Sequence, residues 1–208
     1  MMKGSWGRLG AAVRPILTKI PRSNIASSAI IQRMALNLST SHISSPSEDL
    51  TEVNELNQGS VQIKSTSDGR GHGVFAARHF EAGEPVIESI ALESFDKPHS
   101  HSLQLDWKTH VDISLPGRLV NHMCDPNLKV QPNDSNAYDF VALTKIEEGT
   151  ELGWDYETAE YQLSAPIQCG CGSPKCRKVV KGFRYNKDEL LEAHGKDAIS
   201  PYLLSEEG

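Results

Sequence analysis

Four cysteines constrain this chain most. Cys169, Cys171 and Cys176 form a C-x-C-x4-C run, and Cys124 lies far upstream in Asn121-His122-Met123-Cys124-Asp125-Pro126-Asn127. Four thiolates suit tetrahedral zinc. Three ligands close in sequence can wrap one side of an ion while the fourth ties their loop to a distant segment, so the metal acts as a cross-link. Two disulfides are the alternative. They are disfavoured because no secretory signal is evident and because one-residue spacing would strain a bridge between Cys169 and Cys171.

The segments between these cysteines read as β-structure. Short runs of β-favouring residues, 60–64, 74–77, 85–90, 140–144 and 151–154, are separated by polar, Gly- or Pro-containing turns. Two separators resemble each other, Glu81-Ala82-Gly83-Glu84 and Glu147-Glu148-Gly149-Thr150. Each puts Gly where a tight turn needs a positive φ, which predicts hairpin-like connections and hints at a repeat. Near the C-terminus Asn186 can cap a helix, with Glu189 reaching back and Gly195 stopping it. At 208 residues the chain has room for one domain with appendages. No apolar run approaches the roughly 18 residues that span a bilayer, so no membrane span is expected.

Charge is uneven along the chain. Residues 1–47 contain Lys3, Arg8, Arg14, Lys19, Arg22 and Arg33 and no acid, which makes them +6. The remaining 15 cations face all 27 acids, so residues 48–208 carry −12. An acidic body favours a basic protein or peptide as partner and disfavours direct nucleic-acid binding. Equally, it can simply keep the chain in solution. The leader is Ser- and Arg-rich, with Leu9, Val13, Ile16, Leu17 and Ile20 on one helical face. That is the pattern of a transit peptide and predicts mitochondrial import, a plastid address or a disordered basic tail being alternatives. Initiation at Met34 would remove all six cations and leave a nuclear or cytosolic form. Residues 48–59 read as a linker.

Four motifs in order resemble the SET domain with a post-SET segment, as found in protein-lysine methyltransferases. Gly69-Arg70-Gly71-His72-Gly73-Val74-Phe75-Ala76-Ala77 resembles the opening G-x-G-V-F-A turn. Asn121 to Asn127 is close to N-H-S-C-D-P-N, with Met123 for Ser, and Glu151-Leu152-Gly153-Trp154-Asp155-Tyr156-Glu157 resembles E-L-T-F-D-Y-E. Gln168 to Arg177 resembles the C-x-C-G-S-x-x-C-R post-SET pattern. The spacing of four motifs carries a weight that the Gly-rich turn alone would not.

The resemblance implies a mainly β fold of small curved sheets. In it the Asn-His and Asp-Tyr segments cross in a pseudoknot-like arrangement, followed by a post-SET zinc loop and a short C-terminal helix. On this chain that divides into a SET domain over 60–160, a post-SET segment over 161–183 and a helical tail over 184–208. The implied activity is methyl transfer from S-adenosylmethionine to a lysine of a histone or non-histone protein. The implied site has Tyr156 as the catalytic residue and Gly71, His72, Gly73, Asn121, His122 and Tyr156 at the cofactor. Cys124, Cys169, Cys171 and Cys176 hold zinc, and Arg177 and Phe183 close over the cofactor.

Methyl transfer from a sulfonium requires an in-line, deprotonated amine in a dry channel. Burial lowers the lysine pKa from about 10.4 toward that state. A tyrosine hydroxyl and aromatic walls suit the task. Each residue also has a structural reading: Tyr156 as an amphipathic strand end, Asn121 and His122 as partners of buried backbone groups, Trp154 as core. Ser89 stands where relatives carry a channel tyrosine, Val130 where some carry an aromatic, and the segment before Asn121 is short. These departures keep a second reading open, a silent SET module that binds a basic peptide or protein partner.

Overall fold

The structure is a computed structural model that describes residues 50–99 and 101–205. The basic leader and its expected targeting role lie outside the described residues. The fold is mainly β, as expected, with twelve short strands among the described residues: β1 (Val61–Ser65), β2 (His72–Ala76), β3 (Pro85–Glu88), β4 (Ala91–Phe95), β5 (Leu103–Gln104), β6 (His110–Ile113), β7 (Asn121–His122), β8 (Leu128–Pro132), β9 (Tyr138–Ala142), β10 (Glu151–Trp154), β11 (Ile167–Gln168) and β12 (Val179–Val180). The main sheet runs β1-β2-β10-β8-β9-β3, with β7 also paired to β10. A second sheet, β4-β6-β5, occupies the segment before Asn121. The β11-β12 pair carries the last cysteines at one end.

The two Gly turns are not hairpin connections. After each turn the chain crosses to the strand that precedes the other turn: β3 pairs with β9, and β10 with β2. Phe80 and Ile146 exchange both backbone hydrogen bonds at 2.9 Å. Around them Ala76 N donates to Thr150 O and Ala142 N to Glu84 O, while Gly83 N donates to Ala142 O and Gly149 N to Ala76 O. Counterparts stand at one constant offset in sequence, so the repeat is real and its halves interlock. Gly83 and Gly149 both adopt positive φ, +84° and +82°, as the turns require.

Within the expected linker, residues 50–59 are structured. They contain helix α1 (Thr51–Asn57), whose Val53 is buried in the main core and whose Asn54 side chain bonds both the N–H and the C=O of Ile63. Polar composition hid a helix that needs only one apolar anchor.

The C-terminal helix α2 spans Phe183–His194 and ends at Gly195, φ +73°, as expected. Asn186 does not cap it. The helix begins three residues earlier and is broken at Asn186 (φ −133°, ψ 22°), whose amide is drawn to a buried carboxylate described below. With Ile199 and Leu203, Phe183 and Leu190 form a small second core under Trp107, Tyr161 and Tyr202. Ser200 N donates to Thr158 O, and Tyr138 Oη contacts both Gln104 O (2.6 Å) and Ser200 Oγ (3.0 Å), which docks the tail on the strand system. No helix among the described residues is long and apolar enough to cross a membrane.

Candidate functional site

The four cysteines meet. Their sulfurs all lie within 4.8 Å of one another, and Cys124 is buried. None is in a disulfide. Backbone N–H groups of Cys171, Arg177 and Lys178 point at the sulfurs of Cys169, Cys124 and Cys176 at 3.4 to 3.5 Å, as donors to thiolates should. Burial pushes the Cys124 thiol up and that of Cys169 up to about 11, a penalty a divalent ion would offset. Cys171 is lowered to about 7: burial opposes this, but N–H groups and neighbouring thiols outweigh it. Four soft donors around a common point fit zinc.

His122 links this cluster to the second part of the site. Its Nδ1 accepts the Tyr156 N–H at 3.2 Å, which leaves the ring proton on Nε2, 3.2 Å from Cys124 Sγ. Burial lowers its pKa to about 4, so the ring is neutral at physiological pH. It is both strut and sulfur donor.

The expected crossing is formed by β7 running parallel to β10, with Asn121 opposite Gly153 and His122 opposite Trp154. Asn127 completes it as a side-chain rung: Nδ2 donates to Glu151 O at 2.8 Å and Oδ1 accepts Gly153 N–H at 2.9 Å. Two departures from the family pattern compensate each other here. A side chain at Gly153, where the pattern has Thr, would strike Met123, which stands where the pattern has Ser. The large residue fills the space the small one leaves.

Tyr156 emerges at the end of the crossing, half-buried, with its hydroxyl donating to Val120 O at 3.1 Å. Burial raises its pKa to about 12, so it stays protonated. Its ring lies 4.8 Å from that of Trp154 and 5.2 Å from that of His122. Trp154 is core.

Asn121 bridges to the Gly-rich turn, its amide donating to His72 O (3.0 Å) and Glu151 Oε1 (3.2 Å). Both amide hydrogens therefore serve the protein, and the amide oxygen is what Asn121 has for a ligand. Gly71 has φ +92°. A Cβ at Gly73 would come within 3.1 Å of the Asn121 amide, so Gly is needed for this close approach. The structure thus brings Gly71 to Gly73, Asn121, His122 and Tyr156 onto one side of β10, with the cysteines reached through His122.

The Arg177 and Phe183 side chains, expected to close over the cofactor, are engaged by protein groups. Phe183 is in the second core. The Arg177 side chain is 8% exposed: Nη2 lies 2.6 and 2.7 Å from the Asp155 carboxylate oxygens, and Nε 2.8 Å from Glu157 Oε2. Two further groups meet these acids. His194 Nε2 is 3.0 Å from Asp155 Oδ2, and Asn186 Nδ2 is 3.0 Å from both Glu157 oxygens. Glu157 also accepts the N–H groups of Lys181 and Gly182. Burial would raise Asp155, but His194, His122 and Arg177 hold its carboxyl below the usual range. No sequence motif marks the tail as the source of His194 and Asn186. The one available signal was two acids flanking a tyrosine, which need cations when buried.

Ser89 is buried and packs on Gly117, and its Oγ has no hydrogen-bond partner among the described residues. Val130 is buried on β8 opposite Phe140.

The model of the SET domain matches residues 71–157. Among similar proteins, histone-lysine N-methyltransferase ash1 of Drosophila melanogaster is 36% identical over 111 residues, covering 48% of this chain and 5% of that protein. Histone-lysine N-methyltransferase trr of the same fly is 29% identical over 171 residues, 73% of this chain and 7% of that one. The H3 lysine-9 specific enzyme KMT1 of Fusarium mangiferae is 35% identical over 110 residues, 44% of this chain and 32% of that one. The chain therefore spans a small part of the relatives it matches. A solved structure of Arabidopsis thaliana SUVH6 with SAM aligns at TM-score 0.49 and 22% identity, over 58% of this chain and 33% of that one.

Proposed function

Since residues 71–157 match the SET domain, we propose that the chain transfers a methyl group from S-adenosylmethionine to a lysine of a protein substrate. The observation that carries this is the crossing itself: Tyr156, Asn121 and the Gly71–Gly73 turn share one side of β10, braced by His122 against a four-thiol centre.

In the reaction the lysine amine's lone pair forms the new C–N bond. The methyl–sulfur bond breaks with its electrons going to sulfur, and the methylated ammonium later sheds a proton. The chain's task is to present a neutral amine in line and to keep water out. Tyr156 positions the reacting groups with its hydroxyl, whose proton is committed to Val120 O and whose oxygen remains an acceptor. The Asn121 amide oxygen and backbone near Gly71 and Gly73 hold the donor's amino-acid end, which S-adenosylmethionine supplies along with the methyl group. Zinc held by Cys124, Cys169, Cys171 and Cys176 would lock the last strands to the crossing.

Labelled-methyl transfer to mixed histones and an organelle extract tests the reading. Tyr156→Phe should abolish labelling while costing only about 1 kcal/mol of stability for the lost hydrogen bond. Persistent labelling refutes the assignment. One observation favours the second reading, a silent peptide-binding module: Ser89 is enclosed and offers its channel no partnered hydroxyl. No calorimetric heat with S-adenosylmethionine would select it. For residues 1–47 we propose a mitochondrial address, tested by N-terminal sequencing of the endogenous protein; an intact or Met34 terminus would count against it.

A further inference from the structure

The segment after the third cysteine reverses the charge of the domain. Residues 175–187 carry Lys175, Arg177, Lys178, Lys181, Arg184 and Lys187 and no acid. Two of these are engaged internally, Lys175 with Asp125 at 2.9 Å and Arg177 with Asp155 and Glu157. Lys178, Lys181, Arg184 and Lys187 are exposed, and none has a carboxylate at ion-pair distance among the described residues. Elsewhere on the surface Arg78 pairs with Glu84 and Lys145 with Glu147.

Between these cations stand rings. Lys181 Nζ is 5.9 Å from the centre of the Tyr185 ring, and the Arg184 guanidinium is 5.3 Å from that ring and 5.4 Å from Tyr161. Tyr185 is 51% exposed. Among the described residues the Arg184 side chain bonds only a neutral oxygen, Gln162 Oε1 at 2.8 Å. Phe183 N and Arg184 N donate to Glu160 O and Tyr161 O, which ties this segment to the end of the domain.

We propose that this face binds the phosphate backbone of a nucleic acid, with Lys178, Lys181, Arg184 and Lys187 on phosphates and Tyr185 stacking on a base. Cations interleaved with an exposed ring match a strand that offers anions and flat bases together; an acidic peptide supplies only the anions. The −12 of the body does not oppose this, because ions screen charge beyond about 8 to 10 Å and the local set dominates. This activity is independent of the methyl-transfer reading.

The test is fluorescence anisotropy of labelled single-stranded RNA and duplex DNA with the full chain. Because the leader is also basic, its six cations are first replaced by glutamine. That chain should bind, with log K falling against log salt at a slope of about −3 to −4 for four duplex contacts. Adding K178E, K181E, R184E and K187E should weaken binding at least tenfold without changing thermal unfolding. Tyr185→Ala should weaken RNA binding several-fold more than duplex binding. The proposal is overturned if the leader-neutralised chain does not bind, if charge reversal leaves affinity unchanged, or if polyglutamate displaces RNA as readily as RNA does.

Discussion

Glu160 is 5% exposed, and among the described residues its carboxyl has one hydrogen-bond partner, the Gln104 N–H, which Oε1 accepts at 2.7 Å. Burial pushes its pKa up to about 7, while the Gln104 N–H pulls weakly the other way. The charged form is therefore unfavourable in the folded state. Because the folded value lies above the unfolded one, the protonated group's contribution to stability is complete below about 4.5 and is lost as pH rises through about 7. At 1.36 kcal/mol per pH unit this amounts to roughly 3 kcal/mol, and to less where the pocket relaxes. Glu160→Gln keeps the acceptor for Gln104 and cannot ionise. The variant should match the parent at pH 4.5 and exceed it by about 2 to 3 kcal/mol at pH 8.5, or roughly 5 to 10 °C in Tm for a body of this size. Urea unfolding of both chains across this range gives the difference directly, and cysteine titration, common to both, cancels. A difference independent of pH, or one that grows toward acid, would refute the reasoning.

Arg177→Ala leaves Asp155 and Glu157 buried without their cation and should cost about 3 to 5 kcal/mol in urea unfolding, while Arg177→Lys, which cannot reach both acids, recovers only part. Gly153→Thr should be strongly destabilising against Met123 and be rescued in the double variant with Met123→Ser, giving a coupling energy of about 1 to 3 kcal/mol; additive effects would mean the two residues do not compete for space. Loading the chain with zinc and stripping it with a chelator should expose four reactive thiols and lower Tm, with the largest gain in hydrogen exchange at β11 and β12; unchanged protection there would exclude a structural metal.

Much of the site was legible because its motifs are short and contiguous. Gly71 to Gly73, Asn121 to Cys124 and Asp155-Tyr156 each carry backbone geometry or donor chemistry that needs particular residue types at fixed spacing. The cysteine set followed the same logic and meets as expected. What misled was inference from single local signals: Asn186 looked like a cap, Arg177 and Phe183 like cofactor residues, and 48–59 like a linker. Asn186, Arg177 and Phe183 each have partners far away in sequence, respectively Glu157, the acids beside Tyr156 and the second core, whereas helix α1 is held by strand β1, which follows it directly.

The division has one physical cause. The sequence alone determined the elements governed by neighbours in the chain: strand-forming runs, positive-φ glycines, the helix stop at Gly195 and the four-thiol ligand set. Tertiary structure alone decided which strand each Gly turn delivers its chain to, that Met123 and Gly153 exchange volume, and that His194 and Asn186 reach back to the carboxylates flanking Tyr156. Those outcomes depend on burial and on the charges that burial makes intolerable without a partner, and such a partner can come from any distance along the chain.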